Sequence, residues 1–507
     1  MSILSSSKGK HQEDKFNAQM LVDQGYEAKT PVEELISSVG MKLSIFREKG
    51  FDRAEAMANL FPDIVMDLDT LESVVTSILS GTHILVFGPP GSGKTSLAKS
   101  IWHLYPKEVY VVGDCPVLDN PMSLVDEKYW EISPPCPFCK HNYAKEYSEF
   151  HPDLVDPESV PVKKILLHEG MGFARIQGSS EVFPDHLTGS INLHMLERIG
   201  DPLSPLVIEP GKLLQANRGI LVIDEIGKLP YGTQNVLLQA LEEGIVTPSK
   251  SRETFPSMFF AITTSNMEDL DNINEPLNDR LTSIYMNFPS LHESNIRIVD
   301  VNIKKRRIRR APLIIKEISS RLIEEWRKNY MDHPDLAEVG SNRTIIDIID
   351  RSISYSIVYN GSYLPSVNEL KKGVLDSMRG RVRARSGLSY KENIDIVTSY
   401  LDKYFDKFVN YTTLLIWCTY YRNELKNDKR KSEELFAEIR RLLEDKKLQN
   451  ELKNGNTGTF KNFTSFANYL VKMDDEKEVD PITYGLWISG FIINMPDKKC
   501  NESDKKA

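Results

Sequence analysis

The sequence predicts an α/β protein, with a three-layer parallel-sheet domain followed by a part built from helices alone. Short apolar segments bounded by turns alternate with helical patterns up to about residue 265, as in βαβ units whose strands are buried on both faces. After about residue 311 only helical periodicity continues. A glycine-rich turn also joins the first apolar segment to a helix, where phosphate-binding turns of parallel sheets lie.

The elements of the first part follow in order. Residues 1–30 are polar, and helical spacing from Pro31 to Ser80 predicts short helices. Buried strands are predicted at His83–Phe87, Val109–Val112, Phe173–Gln177, Gly219–Asp224 and Met258–Ser265. Helices are predicted at Ser96–Leu104 and Thr233–Glu243. The chain therefore divides into an N-terminal helical region, 1–60, and an α/β domain, 61–310.

The second part is predicted to be helical throughout. Periodic apolar residues mark Ile314–Tyr330, Asn342–Tyr359, Val367–Arg385 and Tyr390–Phe408, and a further segment runs from Val409 to Lys447. We therefore expect an all-helical unit at 311–408 and an extra helical C-terminal domain at 409–507.

Composition excludes several classes of protein. Lys and Arg number 63 against 72 Asp and Glu, a net charge of −9, so the chain has no global attraction for nucleic acid. Five cysteines in 507 residues do not form a disulfide framework. The N-terminus lacks the apolar core of a signal peptide, and no apolar stretch reaches the ~20 residues of a membrane span. We expect a soluble, cytoplasmic protein without membrane contact.

The turn after the first strand matches the pattern G-x-x-x-x-G-K-[ST]. Its glycines let backbone N–H groups face phosphate oxygens, and the helix N-terminus adds its dipole. Lys94 would bridge the β- and γ-phosphates and Thr95 would bind Mg²⁺. The predicted nucleotide-binding residues here are Gly88, Pro89, Pro90, Gly91, Ser92, Gly93, Lys94, Thr95 and Ser96.

Two later strand ends carry polar residues. Gly219–Asp224 delivers Asp224, which would hold Mg²⁺ through water, and Glu225, which would polarise the attacking water. Asn266 follows the next strand, where its amide would orient that water, although a turn-forming asparagine is the alternative. With the phosphate-binding turn, these residues predict ATP hydrolysis with Mg²⁺.

At this point the sequence resembles a family. Ile208–Ile226 (IEPGKLLQANRGILVIDEI) is similar to the ATPase (I) subunit of magnesium chelatase and its MoxR-like relatives, which are AAA+ ATPases. Those proteins share E-P-G-x-L-x-x-A-N-R-G-I-L-x-x-D-E, matched here from Glu209 to Glu225. Pro276–Leu281 stands where the family has P-Q-L-L-D-R-F, and the resemblance covers about residues 60–408.

The resemblance implies a P-loop AAA+ domain with a helical lid at 311–408. It implies catalytic roles for Glu225, Asn266, Arg280 and Arg343. Arg280 would be an arginine finger offered to a neighbouring subunit, and Arg343 the sensor 2 arginine of the lid. An arginine supplied across an interface implies a homo-oligomeric ring, expected to be hexameric. The partner implied by the family is a protein with a von Willebrand factor A domain.

Three functions compete at this point. The first is an ATP-driven motor that remodels a partner protein, as MoxR-like proteins are expected to do. The second is the motor subunit of a metal (magnesium) chelatase, which the extra C-terminal domain and the missing family stretch V-E-R-E-G after Gly244 disfavour. The third is a nucleic-acid motor related to MCM-type helicases, which the acidic balance makes unlikely.

A cysteine-bearing insert is predicted at about 113–168. The ~130 residues between Lys94 and Asp224 exceed what a P-loop fold needs with loops of ordinary length. Cys136-x-x-Cys139 places two thiolates within reach of one Zn²⁺, and Cys115 with His141 or His151 would complete a tetrahedron. Free cysteines in a proline-rich loop are the alternative.

A second insert is predicted at about 181–210, where relatives carry a helical element that moves with the nucleotide state, and a plain surface loop is the alternative. The basic run at 304–310 is interpreted as a solvated linker rather than a nucleic-acid contact.

Overall fold

The computed structural model describes residues 16–143, 154–249, 251–289, 292–306, 311, 313–329, 340–361, 365–379, 381, 388–396 and 398–399. The chain separates into two compact units, one up to Asn287 and one from Phe288. His151, the C-terminal region from 409 onward and most of the basic run lie outside the described residues. The domain boundaries predicted from the sequence stay predictions.

The first unit alternates helices and strands. Its helices are α1 (Ala18–Asp23), α2 (Pro31–Glu48), α3 (Arg53–Leu60), α4 (Leu68–Leu79), α5 (Lys94–Leu104), α6 (Pro137–Tyr143), α7 (Pro184–Thr188), α8 (Leu193–Ile199), α9 (Lys212–Gln215), α10 (Tyr231–Glu243) and α11 (Glu275–Asn278). Its strands are β1 (His83–Phe87), β2 (Glu108–Val112), β3 (Val162–Leu166), β4 (His168–Glu169), β5 (Gly172–Gln177), β6 (Gly189–Ile191), β7 (Ile208–Pro210), β8 (Gly219–Asp224), β9 (Ile245–Val246), β10 (Phe255–Pro256), β11 (Phe259–Ser265) and β12 (Leu281–Tyr285).

Six strands form one parallel sheet in the order β12-β1-β11-β8-β5-β4. The register aligns Phe87 with Ser265, and Gln177 with Asp224. The carboxyl ends of β1, β11, β8 and β5 therefore lie at the same edge of the sheet. In the sheet, β11 lies between β1 and β8, although it follows both of them in the chain. Ligands of open α/β sheets bind at such carboxyl edges.

The sheet is buried on both faces, because alternate residues of each strand enter different cores. On one face Ile84, Val222 and Ile262 pack with α2, α4 and α5. On the other, Leu85 and Leu221 pack with α9, α10 and the cysteine-bearing segment. This arrangement of helices on both sides of a parallel sheet is the three-layer α/β fold that the apolar strand segments predicted.

The predicted strand at Val109–Val112 exists but does not join the parallel sheet. It forms β2, which pairs antiparallel with β3 across the cysteine-bearing insert. The outer half of β2 is exposed or half-buried, so the strand is not enclosed on both faces as the sheet strands are. The insert therefore starts and ends on a two-stranded ribbon of its own.

The second unit is helical over its described residues, with α12 (His292–Arg306), α13 (Leu313–Asn329), α14 (Asn342–Asn360) and α15 (Val367–Arg379). The helix α14 packs against α13 and α15. Trp326 and a series of isoleucines of α14 are buried at these contacts. Among the described residues, no helix has both the length and the hydropathy that a membrane span requires.

Candidate functional site

The carboxyl edge of the sheet gathers most of the residues that the sequence singled out. β1 leads into the glycine-rich turn 88–95, β8 ends at Asp224 and β11 ends one residue before Asn266. Because the three strands are adjacent and parallel, these groups meet although they lie far apart in sequence. α5 begins at Lys94 and points its N-terminus at the same edge.

The turn 88–95 has a backbone that requires glycine at two points. A Cβ on Gly88 would lie 2.1 Å from the carbonyl oxygen of Met286, a backbone atom directly after β12. Gly93 caps α5 in the left-handed region, at φ 107°, and no side chain caps the first turn of that helix. Ser92 Oγ is buried and has no hydrogen-bond partner among the described residues. The N–H groups and the Ser92 hydroxyl are therefore positioned for an anion such as a phosphate.

Lys94 and Thr95 connect this turn to the two neighbouring strands. Lys94 Nζ donates to the carbonyl oxygens of Gly88 (2.8 Å) and Pro89 (2.9 Å) and to Asn266 Oδ1 (3.1 Å). Thr95 Oγ1 donates to Asp224 Oδ1 at 2.9 Å. A hydroxyl and a carboxylate at hydrogen-bond distance form a donor set that suits Mg²⁺ beside a nucleotide.

Both oxygens of the Asp224 carboxylate accept hydrogen bonds. Oδ1 also accepts from Thr264 Oγ1 at 3.3 Å, and Oδ2 receives Nε (2.7 Å) and Nη2 (2.5 Å) of Arg175 on β5. The Asp224 side chain is only 3% exposed, whereas that of Arg175 is 36% exposed. Arg175 thus supplies the counter-charge for a carboxylate that is otherwise out of water.

Glu225 lies in a strained position with three polar neighbours. Its φ of 56° is in the left-handed region, which costs energy for a residue with a Cβ. Gln177 Nε2 (2.9 Å) and Lys228 Nζ (3.1 Å) reach Oε2, and Asn266 Nδ2 reaches Oε1 at 3.4 Å. The strain and these contacts fix a carboxylate beside Asn266, as an activator of water at this edge would need to be.

The two predicted arginines lie in different units of the chain. Arg280 follows α11 and forms an ion pair with Glu242 of α10, besides a hydrogen bond to the Pro276 carbonyl oxygen. Arg343 is an exposed residue at the start of α14, in the second unit, where its backbone N–H donates to Ser341 Oγ at 3.2 Å. Within the described contacts of the first unit, Arg280 forms no ion pair or hydrogen bond with Asp224 or Glu225 of its own chain.

The cysteine-bearing insert forms a second cluster. Cys115, Asp119, Cys136 and Cys139 are all buried, and their ligating atoms lie within 4.8 Å of one another. The fourth member is therefore Asp119, where the sequence offered His141 or His151, of which His151 lies outside the described residues. Burial raises the pKa of Asp119 to about 7 and holds the pKa values of the Cys136 and Cys139 thiols well above their ordinary range.

Sequence reasoning missed Arg175 and Gln177, and it noted Asp119 in the cysteine-bearing insert without counting it as a ligand. Arg175 and Gln177 stand on β5, and only the register with β8 places them against the acids at its end. A polar residue in an otherwise apolar strand was the available signal. Asp119 is four residues after Cys115, a spacing of the kind that metal sites use, but an aspartate in a loop is too common to stand out alone.

The model of the family "ATPase family associated with various cellular activities (AAA)" matches residues 159–280. The magnesium-chelatase 67 kDa subunit of Heliobacterium mobile is 27% identical over 301 residues, covering 57% of this chain and 37% of that subunit. A magnesium-chelatase subunit ChlI homolog of Methanocaldococcus jannaschii is 22% identical, over 60% of this chain and 79% of its own. The ChlI subunit of Chlorella vulgaris is 25% identical, over 50% and 62%.

The parallel sheet, the glycine-rich turn and the acidic strand end define a P-loop ATPase fold of the AAA+ class. The family model over residues 159–280 and the curated relatives support an AAA+ ATPase similar to the magnesium-chelatase I-subunit and MoxR-like group. The chain spans little more than a third of the length of the Heliobacterium relative.

Proposed function

We propose that the protein is an ATP-hydrolysing ring motor that remodels a partner protein or complex. The observation that supports this most directly is the meeting of Lys94, Thr95, Asp224, Glu225 and Asn266 at one sheet edge. In this proposal the turn 88–95 and Ser96 hold the phosphates, and Thr95 and Asp224 hold Mg²⁺. Glu225 activates the attacking water and Asn266 orients it.

The position of Arg280 supports the proposal of a ring. Its guanidinium is half-buried against Glu242 and, among the described contacts, makes none with Asp224 or Glu225. An arginine that completes a phosphoryl-transfer site from a neighbouring subunit is worth roughly 10³–10⁵ in rate, so an isolated subunit would be nearly inactive. We propose a homo-oligomeric, hexameric ring in which Arg280 serves the adjacent site and Arg343 serves as sensor 2.

The partner and the location are proposed on the family resemblance. A protein with a von Willebrand factor A domain is the partner class that MoxR-like and chelatase-like ATPases imply, and a cytoplasmic location goes with it. The proposed cofactors are ATP and Mg²⁺ at the sheet edge and, independently of them, Zn²⁺ at the cysteine cluster.

Motor subunit of a metal chelatase is the second candidate function. Similarity to the Heliobacterium and Chlorella proteins favours this function, because both are magnesium-chelatase subunits. Stimulation of ATP hydrolysis by a porphyrin would support it. A nucleic-acid motor stays a prediction that no described contact favours, and DNA-dependent stimulation with a steep salt dependence would support it.

The test uses the full chain with Glu225→Gln. This variant should bind ATP and assemble with its partner yet hydrolyse no ATP, because the amide cannot polarise water. Glu48→Gln, an exposed substitution at the end of α2, is the matched control and should keep full turnover. Capture of one stoichiometric protein by the ATP-loaded Glu225→Gln chain, and not by Glu48→Gln, would support remodelling. Full turnover in Glu225→Gln would refute the ATPase assignment.

A further inference from the structure

The ligating atoms of the cysteine cluster have the spacing of a tetrahedral metal site. Cys115 Sγ and Cys136 Sγ are 3.6 Å apart. Two sulfurs bound to one Zn²⁺ at the usual ~2.3 Å are separated by about 3.8 Å when the geometry is tetrahedral. Since all four ligating atoms lie within 4.8 Å of one another, they surround a space for one ion and not for a multi-iron cluster.

The four residues form two chelating pairs on separate segments. Cys136 and Cys139 are three residues apart at the start of α6, and Cys115 and Asp119 are four apart in the loop after β2. Both spacings fall in the range that zinc sites use within one pair. The left-handed φ of 59° at Leu118 turns the loop between Cys115 and Asp119 so that both face the same point.

Backbone N–H groups already hold these side chains in place. Cys115 Sγ accepts from the Asp119 N–H, and Cys136 Sγ accepts from the Cys139 N–H, both at 3.3 Å. The Asp119 carboxylate accepts from the N–H groups of Asn120 (3.1 Å) and Cys136 (2.8 Å), which leaves it further lone pairs. Such outer contacts orient metal ligands and are a regular part of metal sites.

The described residues provide no Lys or Arg partner for the cluster. Among the described residues, no Lys or Arg forms an ion pair or a hydrogen bond with Asp119 or with the three cysteines. Metal ligands are deprotonated thiolates and carboxylates, and the metal ion itself supplies the balancing positive charge. Thiolates with one carboxylate suit Zn²⁺, a borderline-soft ion that accepts both sulfur and oxygen ligands.

We infer that Asp119 is the fourth ligand of a Zn²⁺ ion held by Cys115, Cys136 and Cys139, in a closed structural site. Four buried protein ligands leave no open position, which distinguishes structural from catalytic zinc. This inference rests on the proposed Zn²⁺ cofactor and is independent of ATP hydrolysis.

The metal site is tied to the strand that carries the acids. The buried Asn217, just before β8, donates to the Val117 carbonyl oxygen at 2.6 Å and accepts from the Met258 N–H at 2.9 Å. Val117 lies between Cys115 and Asp119. The ion thus fixes a loop on which β8 is anchored, and its loss should loosen the insert and lower the thermal midpoint of the protein.

The test measures zinc in the full chain, purified under reducing conditions without nucleotide. We expect about one Zn²⁺ per chain, and X-ray absorption spectra with three sulfurs at ~2.3 Å and one oxygen at 2.0–2.2 Å. Asp119→Cys should keep the ion and show four sulfurs, because a thiolate replaces the carboxylate. If Asp119 only accepted backbone hydrogen bonds, its substitution by cysteine would not add a fourth sulfur to the zinc ion. Asp119→Asn should lose the ion to a chelator that leaves the wild type loaded.

A matched control accompanies these variants. Asp114→Asn changes an exposed aspartate of the same loop and should keep the ion. An imidazole signal in the absorption spectrum would overturn Asp119 and return the position to His141 or His151. A chain without zinc would overturn the metal site altogether. Neither result would touch the ATPase proposal, which is measured by turnover.

Discussion

The contacts of Arg175 predict how its substitution changes the affinity of the site for Mg²⁺. Its guanidinium donates twice to Asp224 Oδ2, at 2.7 and 2.5 Å, on the carboxylate proposed to hold Mg²⁺. The guanidinium and the proposed ion are both attracted by the charge of this one carboxylate, so binding of the ion with ATP has to weaken the Arg175–Asp224 pair. Arg175→Met removes the competing charge and keeps a side chain of similar length. We therefore expect Mg²⁺ to bind more tightly in the variant.

The size of the effect follows from the burial of the two partners. A hydrogen bond to a charged group contributes roughly 1.5–3 kcal/mol when well enclosed. Because the Arg175 side chain is 36% exposed, water screens it, and we discount this to about 1–2 kcal/mol. At 1.4 kcal/mol per factor of ten, the Mg²⁺ concentration for half-maximal nucleotide binding should fall about 5- to 30-fold.

The assay is a Mg²⁺ titration of fluorescent ATP binding at fixed nucleotide concentration. Arg53→Met is the control, since it breaks an exposed Arg–Glu pair, between α3 and Glu72 of α4, that is remote in sequence from the turn 88–95. It should leave the titration unchanged. An unchanged or higher midpoint in Arg175→Met would refute competition and would mean that Arg175 orients Asp224 for the ion.

Three further predictions concern the sheet. Gly178→Ala should reduce ATP turnover with little change in the Michaelis constant, because its Cβ would lie 2.1 Å from the Glu225 carbonyl oxygen and displace that residue. Burial lowers the pKa of His83 to about 4, so below pH 6.5 the unfolded chain binds a proton that the folded chain does not. Urea denaturation should show stability falling from pH 6.5 towards pH 4, by up to about 3 kcal/mol, and less so in His83→Gln. Leu85→Ala should cost about 2–5 kcal/mol in the same assay, whereas the exposed Leu166→Ala should cost almost nothing.

The sequence was informative where local pattern and chemistry coincide. Gly219–Asp224 reads as a fully apolar segment ending in acids, and the structure has a strand with those bounds, buried along its whole length. The glycine-rich turn could be placed for the same reason, since the strand before it and the helix after it are both continuous patterns. Such features depend on neighbours in the chain, which a sequence displays directly.

Features that depend on register could not be read in this way. Arg175 meets Asp224 only because β5 lies beside β8 in parallel alignment, and no spacing within either strand contains that fact. The edge ribbon of β2 and β3 shows the same limit, because a short apolar segment looks alike in a ribbon and in a sheet. The sequence favoured His141 over Asp119 because histidine is the more distinctive zinc ligand in a sequence. In the structure it is Asp119 that lies buried beside the three cysteines.

The two clusters of polar residues differ in how their charge is balanced, and this sets what each requires. At the sheet edge Lys94, Arg175 and Lys228 face the carboxylates and amide of the same site, so the fold satisfies these groups without a ligand. Nucleotide then has to exchange existing contacts for its own, which favours a site that switches between two sets of partners. The cysteine cluster has no such internal cation among the described residues, so the Zn²⁺ that we propose there would be part of the folded state itself. Chelation of zinc should therefore lower both stability and ATP turnover, whereas removal of nucleotide should leave the zinc content unchanged.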